Sequence, residues 1–311
     1  MCVEEGRRPL TNAVFLLGAF MILKHDMEPQ RVTEEFKWLD AALLERYRDA
    51  TYAPADFGLE LIDCWRGLAK GKAHGWIAYA PAGYMLGSID IDEYRHYDSP
   101  LNGDLHEVVP GKLVALQGPV DLGGRDYRDG AGGTRVFSPE YYAEILLDMG
   151  VELVVRLNEA RYDAASFEAR GIRHLDLEFE DCTCPPDAVA AAFLRAVSGA
   201  RGAVALDCKA GLGRTGTLVA LHLMRTHGFT AREAIGWLRV MRPGSVIGDQ
   251  QRFLCAAERP PAAAPAAGTS PRRRPAGEGA AGCGGTGAGT AAGAPADIRF
   301  IRPGGSEAAR Q

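Results

Sequence analysis

Residues 204–218, VALDCKAGLGRTGTL, constrain this chain more than any other stretch. An apolar run of strand length passes into a glycine-rich turn, and the turn opens the apolar periodicity of a helix. Inside the turn Cys208 is followed by Lys209, Ala210, Gly211, Leu212 and Gly213, then by Arg214 and Thr215. Five residues of this kind can wrap so that successive main-chain N–H groups point inward at one phosphate. The helix behind them adds its positive N-terminal end. The planar fork of Arg214 can grip two phosphate oxygens at once, and the sulfur of Cys208, as a thiolate, is the nucleophile such a cradle would serve.

Two other readings fit parts of the same stretch. Gly211, Gly213 and Gly216 match G-x-G-x-x-G between a strand and a helix, a dinucleotide fingerprint. That reading leaves Cys208 and Arg214 without a role. It also needs a ribose-binding acid at the end of a following strand, where residues 217–227 and 230–241 read as helices. A plain structural loop with a buried cysteine is the other.

Composition narrows the field. A net charge of −5 over 311 residues, with no basic stripe interleaved with aromatics, gives no reason to expect nucleic acid. Seven scattered cysteines argue for a reducing compartment rather than a disulfide framework. Cys182 and Cys184 form a C-x-C with no second pair at metal-ligand spacing, so neither metal nor cofactor is expected. The longest apolar run, residues 13–23, is too short to cross a membrane and is flanked unlike a signal peptide. A soluble protein of the cytoplasm, the nucleus or both is the expectation.

Along the chain, helices are predicted over 11–24, 29–39 and 57–70, followed by an acidic connector over 89–104. The segment NAVFLLGAFMILKHDMEPQRV echoes TGTLVALHLMRTHGFTAREAI, with Asp26 opposite Gly228, as though the helix behind the loop occurs twice. Strands are predicted over 112–117, 151–157, 174–179 and 203–206. Helices over 139–149, with Ser138 as N-cap and Pro139 in the first turn, and over 186–197 lie between them. This alternation predicts an α/β, three-layer domain with a central mostly parallel sheet. Such sheets place ligands beyond the C-terminal ends of their strands, where Cys208 falls. After Cys255 the Ala/Gly/Pro-rich composition predicts a disordered tail.

Phosphate transfer to sulfur needs an acid for the leaving oxygen, and Asp181 in FEDCTCPPD lies on a loop between strand and helix. Asp187 competes for that role. Thr215 can hydrogen-bond the sulfur as it leaves in a second step. In RPGSVIGDQQ, Gln250 and Gln251 are candidates for positioning the hydrolytic water.

The whole segment DCKAGLGRTGTLVALHLMRTHGFTAREAIGWLRVMRPGSVIGDQQRFL resembles the cell-division-cycle-fourteen (mitotic-exit) family of dual-specificity protein phosphatases. The likeness extends from about Arg8 to Cys255 through RDATYAPADFGLELIDCWRGL, DIDEYRHYDSPLNGDL, VPGKLVALQGP and VVRLNEARYDAASFEARGI. It implies a truncated, degenerate N-terminal copy of the fold over 1–88, a linker helix over 89–107, a catalytic domain over 108–257 and a tail over 258–311. The implied substrates are phosphorylated proteins carrying proline-directed phosphoserine or phosphothreonine, and in some cases phosphotyrosine. The implied roles are nucleophile for Cys208, phosphate binding for Arg214 and general acid for Asp181. Asp98 and Asp104 fall on acids that attract a basic residue of the substrate, whereas Arg95 replaces one.

The chain departs from this pattern at several points. Asp207 stands where the family has histidine. A carboxylate about 6 Å from a thiolate at an effective dielectric of about 20 costs about 3 kcal/mol, which predicts a slower enzyme or, alternatively, a phosphopeptide-binding pseudophosphatase. Cys182 replaces a glycine beside the acid and could pair with Cys208. The chain starts at the degenerate loop of the first copy, without the strands that precede it: either the sequence is incomplete there, or the first copy is a remnant with an exposed sheet edge or face. Finally, Thr269-Ser270-Pro271-Arg272-Arg273-Arg274 would, once phosphorylated at Ser270, fit the chain's own site.

Overall fold

The computed structural model describes residues 5–51, 56–79, 87 and 89–258. Ser270 and residues 259–311 of the segment read as a tail lie outside them, whereas Ala256 and Ala257, also read as tail, close the last helix, Asp249–Ala257. Five strands form the central sheet: β1 (Leu105–Val109), β2 (Leu113–Gln117), β5 (Val151–Arg156), β6 (Arg173–Asp176) and β7 (Ala203–Cys208). Their order is β1-β2-β7-β5-β6, with β1 antiparallel to β2 and every other pairing parallel. A small hairpin, β3 (Tyr127–Asp129) with β4 (Arg135–Phe137), stands apart.

β7 lies at the centre and all six of its residues are buried, which its apolar run foretold. Its side chains alternate between two cores. Ala203 and Ala205 face the one shared with Tyr142 of α5 (Pro139–Asp148) and Phe167 of α6 (Ala165–Glu168). Val204, Leu206 and Cys208 face the other, shared with α7 (Asp187–Gly199), α8 (Gly213–Thr226), α9 (Ala231–Met241) and α10 (Asp249–Ala257). The expected three layers follow. Ser138 caps α5 as predicted, accepting from the Tyr141 N–H at 3.2 Å with Pro139 in the first turn.

The N-terminal unit is helical: α1 (Arg7–His25), α2 (Pro29–Glu35) and α3 (Leu61–Ala73), with α4 (Ile91–Tyr97) leading into β1. Among its described residues the only extended pairing is one bridge, Tyr47 to Leu59. α3 crosses α9 closely enough that a Cβ on Gly67 would lie 2.5 Å from the Glu233 carbonyl oxygen. The Trp237 indole of α9 donates to the Val108 carbonyl at 2.9 Å and packs on Gly71 of α3, and the buried residues of both units form one core. On its outer side α1 leaves Leu16, Leu17 and Phe20 exposed.

The internal echo has a backbone counterpart. α1 ends with Asp26 at φ 55° and a Met27 N–H bond to the Met21 carbonyl; α8 is followed by Gly228 at φ 67° and a Phe229 N–H bond to the Leu223 carbonyl, both at 3.3 Å. The two helices stop with the same left-handed turn and the same six-residue closure.

Several boundaries shift. The helix expected over 57–70 begins at Leu61, because Leu59 is held in the bridge to Tyr47 and Glu60 serves as N-cap in a capping box. The one expected over 29–39 stops at Glu35. The expected strand over 174–179 covers only Arg173–Asp176. The linker helix is limited to Ile91–Tyr97, and the expected boundary at 107/108 cuts through β1.

Candidate active site

Cys208 ends β7, buried, and the chain then wraps through residues 209–213 into α8. Gly211 makes the turn possible. Its φ is +66°, and a Cβ there would fall 2.1 Å from the Leu116 carbonyl oxygen. The loop carbonyls are turned outward by Arg242, which donates from Nε to the Gly211 oxygen at 2.7 Å and from Nη2 to the Ala210 oxygen at 3.0 Å. Among the described residues, nothing accepts a hydrogen bond from the main-chain N–H groups of Lys209, Ala210, Gly211, Leu212, Gly213 or Arg214. Six successive donors without partners at a helix N-terminus form a ready anion cradle.

Arg214 is 2 % exposed. Its Nη1 donates to the carbonyls of Phe179 at 2.9 Å and Leu157 at 3.2 Å, fixing the plane of the guanidinium. Nε makes no hydrogen bond and lies 3.2 Å from Asp181 Oδ1, so the candidate acid and the candidate phosphate-binding arginine are brought together. Asp181 remains half exposed, as a group that must reach a leaving oxygen requires. Asp187 sits instead in the first turn of α7 and serves the helix end. Thr215 is fully buried, and among the described residues its hydroxyl has no partner; the bond to sulfur was expected only as the sulfur leaves in the second step.

The two glutamines separate. Gln250 lies between loops: Nε2 donates to the Thr183 carbonyl on the acid loop at 3.0 Å, Oε1 accepts from Ile247 N–H at 3.1 Å, and a Cβ on Gly213 would come within 3.2 Å of that oxygen. Gln251 is turned away, accepting from Arg239 at 2.6 Å and donating to the Gly248 carbonyl and to Asp49. Sequence spacing could not tell the two apart.

Asp207 does not face the nucleophile. Alternation along β7 sends its carboxyl to the opposite side of the sheet, where Oδ2 accepts from the Tyr162 hydroxyl at 2.9 Å. That hydroxyl is also 3.0 Å from His174 Nε2, and Arg156 holds the Tyr162 carbonyl and Asp176. Complete burial pushes the carboxyl up to about 7, against the downward pull of the Tyr162 bond and Arg156. The side-by-side placement that underlay the expected penalty is therefore absent.

Asp98 and Asp104 are occupied internally. Asp98 lies 3.1 Å from His106 Nε2, and Asp104 Oδ1 lies 3.0 Å from Arg242 Nη1. Arg242 Nη1 also meets His106 Nδ1 at 2.8 Å, so these groups join the outer side of the phosphate loop. Cys182 takes φ 60°, the conformation that a glycine would adopt freely, and both it and Cys208 are free thiols. Among the described residues no cluster of three metal-ligating side chains occurs, and no helix is long and apolar enough to cross a membrane. Arg242, Tyr162 and Asp49 escaped sequence reading because their partners lie 31, 45 and 199 residues away.

A buried cysteine followed at once by main-chain donors without partners among the described residues, and then by an arginine paired with an acid, is the pattern of the cysteine-dependent phosphatase class. Two family models match: "Dual specificity protein phosphatase, N-terminal half" over residues 2–71 and "Dual specificity phosphatase, catalytic domain" over residues 144–259. The chain belongs to the CDC14 family of dual-specificity protein phosphatases. It is 36% identical over 250 residues to "Dual specificity protein phosphatase CDC14C" of Symphalangus syndactylus, covering 80% of this chain and 49% of that protein. Identity to human CDC14C is also 36% over 250 residues (80% and 53%), and to human CDC14A 36% over 253 residues (81% and 40%). The chain thus spans about half the length of these curated relatives.

Proposed function

We propose that the protein is a dual-specificity protein phosphatase that passes phosphate from a phosphorylated protein to Cys208 and then to water. The observation carrying this reading is the run of six unpartnered N–H donors over Cys208. A phosphate dianion would satisfy them, its oxygens taking Nη2 of Arg214 and, in place of Asp181, Nε, while Nη1 stays on Leu157 and Phe179. The Cys208 thiolate attacks phosphorus in line, and Asp181 gives its proton to the departing serine, threonine or tyrosine oxygen. In the second step Asp181 takes a proton from water, which attacks the phosphocysteine while Thr215 Oγ1, otherwise without a partner, donates to the leaving sulfur. Gln250 Oε1 has a lone pair beyond its bond to Ile247 and can orient that water.

The alternative of a pseudophosphatase rested on Asp207 opposing ionisation of Cys208. A carboxyl on the far side of the sheet, half-protonated near neutrality, takes away most of that opposition. The proposed substrates are proline-directed phosphoserine and phosphothreonine sites. Selection for a nearby basic residue is weak, because Asp98 and Asp104 already have cationic or imidazole partners and Arg95 adds a positive charge. The test is turnover of a phosphopeptide panel, with Cys208→Ser as control and Asp207→His beside the wild type. Vanadate-sensitive turnover by the wild type supports the phosphatase reading. Turnover that appears only in Asp207→His supports the pseudophosphatase.

A further inference from the structure

The N-terminal unit reaches into the catalytic loops at one buried charge. Asp49 is 5 % exposed, and its Oδ2 accepts the Gly248 N–H at 2.6 Å and Gln251 Nε2 at 3.3 Å, while Oδ1 accepts from Thr51. Gly248 is the N-cap of α10, two residues before Gln250. The same loop is held from behind by Arg239, which donates to the Ser245 and Val246 carbonyls, to Gln251 and, across to the N-terminal unit, to the Tyr47 carbonyl.

What these anchors hold is a strained backbone. Val246 is buried and β-branched yet adopts φ 63°, and its N–H bonds the Leu212 carbonyl of the phosphate loop at 3.3 Å. Such a conformation costs about 1–3 kcal/mol and persists only where the surroundings over-determine it. Without the Asp49 carboxylate, Gly248 N–H and Gln251 would lose their shared acceptor, and the start of α10 would be free to relax.

From this geometry we infer that Asp49 is a positioning residue for phosphocysteine hydrolysis: a carboxylate of the non-catalytic unit fixes the loop that carries Gln250. The inference rests on the two-step reading above. It divides the two steps, because the partners of the Asp49 carboxylate are Gly248, Gln251 and Thr51, none of which bonds Cys208, Arg214 or Asp181 directly. The N-terminal unit then serves turnover as well as packing.

The experiment uses the full chain, as wild type, Asp49→Ala and Asp49→Asn, with an aryl phosphate as substrate and quenching during turnover. kcat/KM reports only the steps through phosphocysteine formation, so Asp49→Ala should lower kcat about tenfold or more while leaving kcat/KM within about twofold. The trapped phosphocysteine fraction should rise. Asp49→Asn, which keeps an acceptor for Gly248 but not the charge, should fall between. A parallel fall of kcat and kcat/KM, or no change in either, overturns the inference in favour of a structural staple. If Asp49→Ala does not fold, the same split or its absence in Asp49→Asn decides. Persistent turnover by Cys208→Ser would overturn the two-step reading itself, and this inference with it, without reference to Asp49.

Discussion

Asp207 and Cys208 are neighbours in sequence but lie on opposite faces of β7, the carboxyl against Tyr162 and the thiol above the α8 layer. That relationship turns an apparent liability at the nucleophile into a buried acid with its own consequence for stability.

The carboxyl titrates at 3.8 when unfolded and at about 7 when folded. Between those values the folded state holds the extra proton, so stability falls as pH rises through the window and the full cost is present above pH 7. Asp207→Asn removes this dependence. Its stability relative to wild type should grow between pH 4 and pH 8 by up to about 4 kcal/mol, from three units at about 1.4 kcal/mol each. Urea unfolding at several pH values checks this; a pH-independent difference would mean that Asp207 is ionised throughout.

Asp181 is half exposed beside Arg214, whereas Asp187 belongs to a helix end. Asp181→Asn should reduce turnover of a phosphoserine peptide by about 10²–10³-fold, within the usual range for general acid catalysis. Turnover of a nitrophenyl phosphate, whose leaving group needs no proton, should fall far less. A larger loss in Asp187→Asn would reassign the acid.

Gly211 occupies a left-handed position against the Leu116 carbonyl. Gly211→Ala therefore forces the loop to shift, and should cost about 2–4 kcal/mol and abolish protection by vanadate against thiol alkylation. Thermal unfolding and alkylation kinetics read the two effects. Retention of both would show that the loop tolerates another path.

Asp98 and Asp104 are tied to His106 and Arg242 rather than free in a groove. Asp98→Asn should change the preference between paired peptides, with and without a basic residue, by less than about threefold, as expected for a partly exposed charge already paired. A tenfold loss of discrimination in kcat/KM would restore the groove acids to a direct role.

The parts legible in sequence were those encoded locally. The apolar run of β7, the glycine at 211, the Cys208–Arg214 spacing and the Ser138-Pro139 cap each reflect backbone geometry over a few residues. The matched ends of α1 and α8 could be read because Asp26 and Gly228 occupy equivalent turns. What escaped was long-range pairing. β1 looked like connector because its partner β2 begins only after a tight turn, and its short pattern gave no separate strand signal. The facing of Asp207 follows from strand alternation, but its Tyr162 partner does not. The separation of Gln250 from Gln251 depends on Asp49 and Arg239, which no spacing rule connects.

The central claim is that six main-chain donors and Arg214 hold a phosphate while Cys208 takes it covalently. The most direct measurement is quenching of the wild-type chain during turnover of a radiolabelled phosphopeptide, followed by mapping of the label. The account predicts label on the peptide containing Cys208, kept in alkali and lost in mild acid as an S-phosphate is, and neither label nor turnover in Cys208→Ser. Sustained turnover with Cys208→Ser, or label on another residue, would contradict it.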